Sequence, residues 1–206
     1  MTFLKILINR ALMGMGYSIN RIDKNAPHES RWISLAQMVA IQESEVKFNE
    51  ALFLMELVRD IHSEGPIIEI GTLFGTSTQV LGYAKKAETP LITVDNYCWN
   101  PLGLTPEEHQ WYTGRILGVM NIPGLKVVTA DKAEFYATYK DVAPALAFLD
   151  AGHSYEDTAK DIQFAKRVEA KIICGHDYHP EQYPGVVQAV AEAGGPRRVV
   201  GTLWVL

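Results

Sequence analysis

Residues 66–78, PIIEIGTLFGTST, decide how this chain is read. A short run of isoleucines broken by Glu69 ends at Gly71, and Gly75 follows before Thr76-Ser77-Thr78. A β-rich run that ends in glycine and passes into a helical pattern is the strand–turn–helix unit of an α/β sheet. The glycines allow a tight turn and a close approach of backbone to ligand. Their spacing is G-x-x-x-G, not the G-x-G-x-x-G of dinucleotide folds, and no lysine follows to make a phosphate loop.

The same alternation continues toward the carboxyl end. Short apolar runs at 90–95 (PLITVD), 126–131 (KVVTAD), 145–150 (ALAFLD) and 171–177 (KIICGHD) alternate with helical stretches. Such alternation predicts βαβ crossovers and a parallel sheet covered on both faces. The last two runs, RRVV and LWVL, are separated only by Gly201-Thr202, too few residues for a crossover, so they predict an antiparallel hairpin at one edge. The expected fold is a Rossmann-like, doubly wound α/β sheet over residues 65–206, preceded by an N-terminal helical extension over 1–64. Within that extension Phe48, Leu52, Met55 and Val58 are spaced as one stripe of a helix.

Composition sets outer bounds. The 206 residues are 48% hydrophobic and 21% charged, enough to build one full core without a disulfide or metal staple. A formal charge of −5 argues against broad phosphate-backbone binding, so no nucleic-acid partner is expected. Cys98 and Cys174 make no disulfide framework, and Cys174 reads as a core residue of a reduced, cytoplasmic protein. The first 25 residues carry four basic side chains against one acidic, and residues 1–20 are too polar to span a bilayer. Two roles suit them: packing on the domain or on a second copy in a homo-oligomer, or lying on an anionic membrane surface.

The informative pattern is the placement of acidic residues. Glu69, Asp95, Asp131, Asp150 and Asp177 each stand at or just past the end of a predicted strand. In an open parallel sheet those ends share the edge where ligands bind. A single one could cap the next helix, whereas five together are costly unless hydroxyl donors or cations use them.

These residues carry a resemblance. E-I-G-T-L-F-G-T-S-T resembles motif I of class I S-adenosylmethionine-dependent methyltransferases. F-L-D-A-G-H-S-Y-E-D-T-A-K-D-I with I-I-C-G-H-D-Y resembles the subfamily of macrocin-type sugar O-methyltransferases and cephalosporin-hydroxylase-like proteins. The resemblance implies that Gly71, Gly75, Thr76 and Ser77 cradle the methionine part of S-adenosylmethionine and that Glu69 acts on its amino group directly or through water. It places Asp95 on the ribose hydroxyls and Asp131 near the adenine edge, although Asp131 equally suits a helix cap.

By the same resemblance Asp150 and Asp177 would hold a divalent cation. Mg²⁺ suits two carboxylates, while His176 before Asp177 would be accepted more readily by Mn²⁺ or Zn²⁺. His153, in the D-x-x-H position, stands as the general base or as the cap of the following helix. The implied reaction is O-methylation of a small-molecule hydroxyl, on a sugar or glycosylated metabolite. A hydroxylase-like enzyme or a non-catalytic cofactor-binding protein on the same scaffold is the alternative. The stretch 96–106, NYCWNPLGLTP, is long for a connection here and reads as a lid, with Tyr97, Trp99 and nearby Trp111 available to stack on a ligand.

Overall fold

The computed structural model of the protein describes residues 46–101 and 103–206. The expectations for residues 1–20, and for the extension before residue 46, lie outside the described residues. Helix α1 (Phe48–Arg59) leads into β1 (Ile67–Ile70) and α2 (Thr76–Ala84), then β2 (Leu91–Asp95) and α3 (Pro106–Met120). They are followed by β3 (Leu125–Thr129), α4 (Lys132–Thr138), β4 (Leu146–Leu149) and α5 (Tyr155–Arg167). The chain closes with β5 (Ile172–Gly175), α6 (Pro184–Glu192), β6 (Arg198–Val200) and β7 (Leu203–Val205).

The strands form one sheet in the order β3-β2-β1-β4-β5-β7-β6. Neighbours from β3 through β5 are parallel, and β7 is antiparallel to both β5 and β6. The expected C-terminal hairpin is therefore present. It is inserted so that β7, rather than β6, adjoins the parallel strands. The strand order reverses between β1 and β4, and in such sheets the crevice beyond that point receives ligands.

Alternation along the central strands divides the core. Ile67, Leu91, Leu146 and Phe148 face α1 and α2, whereas Ile68, Ile70, Val94, Ala147 and Leu149 face α4, α5 and α6. Covering on both faces explains why β1 and β4 are buried throughout. Glu69 is the exception in this apolar run: a carboxyl with no exposed surface.

Helix α1 corrects one expectation. Its buried face is Ala51, Leu54, Met55 and Val58 with Glu50 and Phe53, while Phe48 and Leu52 are exposed. Two helical stripes overlap in this sequence, and packing against α2 selects the one containing Ala51, whose small side chain permits close approach. No helix among the described residues is long and apolar enough to cross a membrane.

Candidate active site at the carboxyl ends of the strands

The β1–α2 connection turns at Gly71, where φ is 98°. A Cβ at Gly71 would overlap the carbonyl oxygen of Asp150, so glycine lets the β1 and β4 loops pack together. Gly75 precedes α2 and packs against Leu117. Thr76 and Ser77 open the helix, both buried, with Ser77 on the cleft wall.

Asp95 holds this turn. Its Oδ2 accepts the Thr72 and Leu73 backbone N–H groups, each at 2.8 Å, and its Oδ1 accepts the Tyr97 N–H at 2.7 Å. A carboxylate has about four acceptor positions, so the part left for a ligand hydroxyl is small. Asp131 caps α4 by accepting the Ala133 N–H at 2.8 Å through Oδ1, and it also lines the cleft. The cap of α5 is Ser154, which accepts the Asp157 N–H at 3.0 Å, so His153 is not occupied as a cap.

Glu69 lies behind Ser77. The Thr78 hydroxyl donates to Oε2, while Oε1 is buried with no hydrogen-bond partner. Burial pushes its carboxyl up to about 7, against the opposing pull of the Ser77, Thr78 and Thr93 hydroxyls.

Asp150, His153, His176 and Asp177 converge after β4 and β5. His153 Nε2 is 2.8 Å from Asp177 Oδ2 and 3.9 Å from Asp150 Oδ1. His176 Nδ1 is 3.4 Å from Asp177 Oδ1 and 3.9 Å from Asp150 Oδ2. Each carboxylate thus turns one oxygen to each imidazole. Asp150 and Asp177 hold the His153 pKa up to about 10, so the ring is imidazolium at neutral pH while they are its counterions. Burial works against a charged His176, yet Asp150, Glu50 and Asp177 hold its pKa up to about 9.

These groups line one cleft of about 540 Å³, a volume suited to a small molecule. Its walls include Gly71, Ser77, Asp95, Asp131, Asp150, His153, His176 and Asp177. Of the predicted site residues, Glu69, Gly75 and Thr76 stand behind this surface rather than on it.

A family model described as a methyltransferase domain matches residues 68–178, more than half of the chain. The chain belongs to the methyltransferase-domain family. Solved structures agree in fold. An O-methyltransferase from Bacillus cereus in complex with SAH is 17% identical at TM-score 0.60, covering 100% of this chain and 97% of its own. The O-methyltransferase TomG from Streptomyces achromogenes, in complex with SAM, is 14% identical at TM-score 0.60, covering 98% and 95%. A methyltransferase from Geobacter sulfurreducens is 13% identical at TM-score 0.54, covering 97% and 94%. No curated protein matches the chain.

The residues of this methyltransferase fit the groups that the sequence resemblance implies. Glu69, buried behind Ser77 with Oε1 unpartnered, suits an amine reached through a water, and the cleft supplies further acceptors for a nucleoside. Asp150, His153 and Asp177 offer ligand atoms all within 4.8 Å of one another, a donor set suited to a divalent cation.

Two residues of this methyltransferase escaped the sequence reading. Glu50, on α1, is fully buried and pairs with His176, and only its apolar helical surroundings hinted that it was special. His109, on α3, is also fully buried and touches the carbonyl oxygens of Leu73 and Tyr97. Tyr97 itself is core, whereas Trp99 lines the cleft and Trp111 is exposed on α3.

Proposed function

We propose that this protein transfers a methyl group from S-adenosylmethionine to a hydroxyl oxygen of a small molecule. The observation that carries the reading is the convergence of Asp150, His153, His176 and Asp177 in the cleft beside the Gly71 turn. The neighbours named as O-methyltransferases with SAM or SAH support it through the shared fold.

S-adenosylmethionine supplies an electrophilic methyl carbon: its bond to sulfur breaks as the bond to oxygen forms, and the hydroxyl proton must leave. The chain's task is to align the acceptor and receive that proton. Gly71 and Ser77 set the cofactor wall, Glu69 acts on its amino group from behind that wall through a water, and Asp95 keeps the turn in shape with one acceptor position toward the ribose. Asp131 turns its free oxygen to the adenine edge. His153, packed against Tyr183 with ring centroids 4.6 Å apart, is the proton acceptor on the half-exposed side when the charge of Asp150 and Asp177 is engaged elsewhere and its ring is neutral. A divalent cation on Asp150 and Asp177, Mg²⁺, Mn²⁺ or Zn²⁺, would lower the pKa of an acceptor hydroxyl and withdraw the negative charge that keeps His153 protonated. A sugar or glycosylated metabolite is the proposed acceptor class, matching a cleft rich in carboxylates that accept hydroxyl donors.

Calorimetry with S-adenosylmethionine and S-adenosylhomocysteine tests the core of this reading. Both are expected to bind, and methyl transfer to a hydroxyl library is expected to follow. Failure of both to bind would overturn the reading in favour of a hydroxylase-like activity.

A further inference from the structure

We infer that Glu50 is a positioning residue that presents His176 Nδ1 as a nitrogen donor to the cation held by Asp150 and Asp177. The inference rests on the metal reading given above and adds to it the residue that selects the donor.

Glu50 lies on α1, 126 residues before His176, and has no exposed surface. Its Oε2 accepts from His176 Nε2 at 3.2 Å and from the Lys47 N–H at 2.7 Å. Its Oε1 accepts from the Thr202 N–H at 2.7 Å and the Thr202 hydroxyl at 3.0 Å. With its hydrogen bond donated to Glu50, the Thr202 hydroxyl is an acceptor toward His176 Nε2 at 3.0 Å. Both neighbours of Nε2 are thus acceptors, so the proton that stays when the ring is neutral is the one on Nε2. The turn between β6 and β7 is shaped around this carboxylate: Gly201, at φ 61°, leaves the space that a Cβ would take from Glu50 Oε1.

The backbone of His176 is pinned as firmly. Its carbonyl accepts from Trp204 Nε1 at 2.9 Å, and its N–H donates to the Leu149 carbonyl at 3.3 Å. The ring cannot readily turn, so Nδ1 faces Asp177 Oδ1 and Asp150 Oδ2.

Those separations, 3.4 and 3.9 Å, are too long for good hydrogen bonds. Two ligands each about 2.1 Å from one metal, at tetrahedral or octahedral angles, stand about 3.0–3.4 Å apart. The His176–Asp177 spacing lies within that range, and a small inward movement of Asp150 brings the second pair into it. His153 differs: its Nε2 is already hydrogen-bonded to Asp177 at 2.8 Å. A carboxylate behind a histidine, fixing which nitrogen is free, is the arrangement by which proteins orient imidazole ligands. One imidazole with two carboxylates suits Mn²⁺ or Zn²⁺ better than Mg²⁺.

The test is Mn²⁺ binding to the 206-residue chain, read by equilibrium titration and by ¹⁴N modulation in pulsed electron spin resonance. The wild type is expected to show one imidazole coupling, lost in His176→Asn and kept in His153→Asn. Glu50→Ala is expected to weaken Mn²⁺ about 10–100-fold and to diminish the coupling. Glu50→Gln keeps the shape and one acceptor oxygen but turns its NH₂ either toward Thr202 or toward His176 and Lys47, so it is expected to recover only part of both. Thermal unfolding checks each variant, and Thr202→Val, expected to weaken Mn²⁺ less than Glu50→Ala, supplies a milder disturbance of the same contact. A coupling that disappears with His153 instead, or that is unchanged with Mn²⁺ affinity in Glu50→Ala and Thr202→Val, would overturn the inference while leaving the metal site standing. No Mn²⁺ binding to the wild type would overturn the metal reading itself.

Discussion

The Nε2 atom of His109 lies 3.0 Å from the carbonyl oxygen of Leu73, a non-glycine residue held at φ 45°. Its Nδ1 lies 3.3 Å from the carbonyl of Tyr97, which is held at φ 57°. Thr113, one turn further along α3, donates to the same Leu73 carbonyl at 2.6 Å. One helix thus braces the loops after β1 and β2 in left-handed conformations that cost on the order of 1–2 kcal/mol each.

From this brace follows a prediction for His109→Ala. Removing the ring leaves the two loops less constrained and opens a cavity between Phe74 and Tyr97, whose rings flank it at 4.8 and 5.1 Å. The KM for S-adenosylmethionine is expected to rise roughly tenfold, the equivalent of about 1.4 kcal/mol, with the acceptor KM little changed. Steady-state kinetics with each substrate varied in turn checks it; equal rises in both constants would count against a role confined to the cofactor loops.

Glu69 makes stability depend on pH in a defined direction. Its carboxyl ordinarily titrates near 4.5 and is raised to about 7 in the folded chain by burial. Between those values the folded state binds more protons than the unfolded state, so this contribution is complete below about 4.5 and is lost as pH rises through about 7. The loss amounts to roughly 3 kcal/mol. Glu69→Gln has no such titration. The Tm of the variant minus that of the wild type is therefore expected to increase from pH 5 to pH 8, and a constant difference would refute the burial argument. The same variant is expected to bind S-adenosylhomocysteine more weakly, through loss of the buried carboxylate that acts on its amino group by way of water.

The parallel sheet and its edge were legible because periodicity and turn residues are local. The runs at 66–70, 90–95 and 145–150 alternate with helices, and each ends in a residue that the fold carries to the cleft or just behind it. What was not legible depends on contacts distant in sequence. Glu50 reads as one more acidic residue on an amphipathic helix until α1 docks and brings it to His176. Likewise Asp95 matched a ligand-binding position, but its three backbone donors come from a turn some twenty residues earlier and from Tyr97. Of the expected stripe on α1, Met55 and Val58 are buried, but Phe48 and Leu52, as apolar as the residues that α2 covers, are not.

Asp150 and Asp177 share the two histidines between them, so neutralising either carboxylate changes both sides of the cluster. Asp150→Asn and Asp177→Asn are each expected to lower turnover on the order of a hundredfold or more, by loss of acceptor positioning and proton transfer. Binding of S-adenosylhomocysteine is expected to persist, because the turn at Gly71 is held by Asp95 instead. Single-turnover kinetics beside calorimetry separates the two effects. Wild-type turnover in both variants would remove these residues from the chemistry.

Asp95→Asn distinguishes holding the turn from contacting a ligand. The wild-type carboxylate satisfies the Thr72, Leu73 and Tyr97 N–H groups at once, and Thr72 is buried. Asparagine has a single acceptor oxygen, so either the Thr72–Leu73 pair or Tyr97 must face an amide NH₂, a donor against a donor. An orphaned buried donor costs about 1–3 kcal/mol. Asp95→Asn is therefore expected to lower the Tm of the ligand-free protein as well as its affinity for S-adenosylhomocysteine. If ribose contact were its whole contribution, the ligand-free Tm would stay at the wild-type value while affinity fell. Thermal unfolding with and without the nucleoside decides between them, since a residue that holds the turn must show its effect before any ligand arrives.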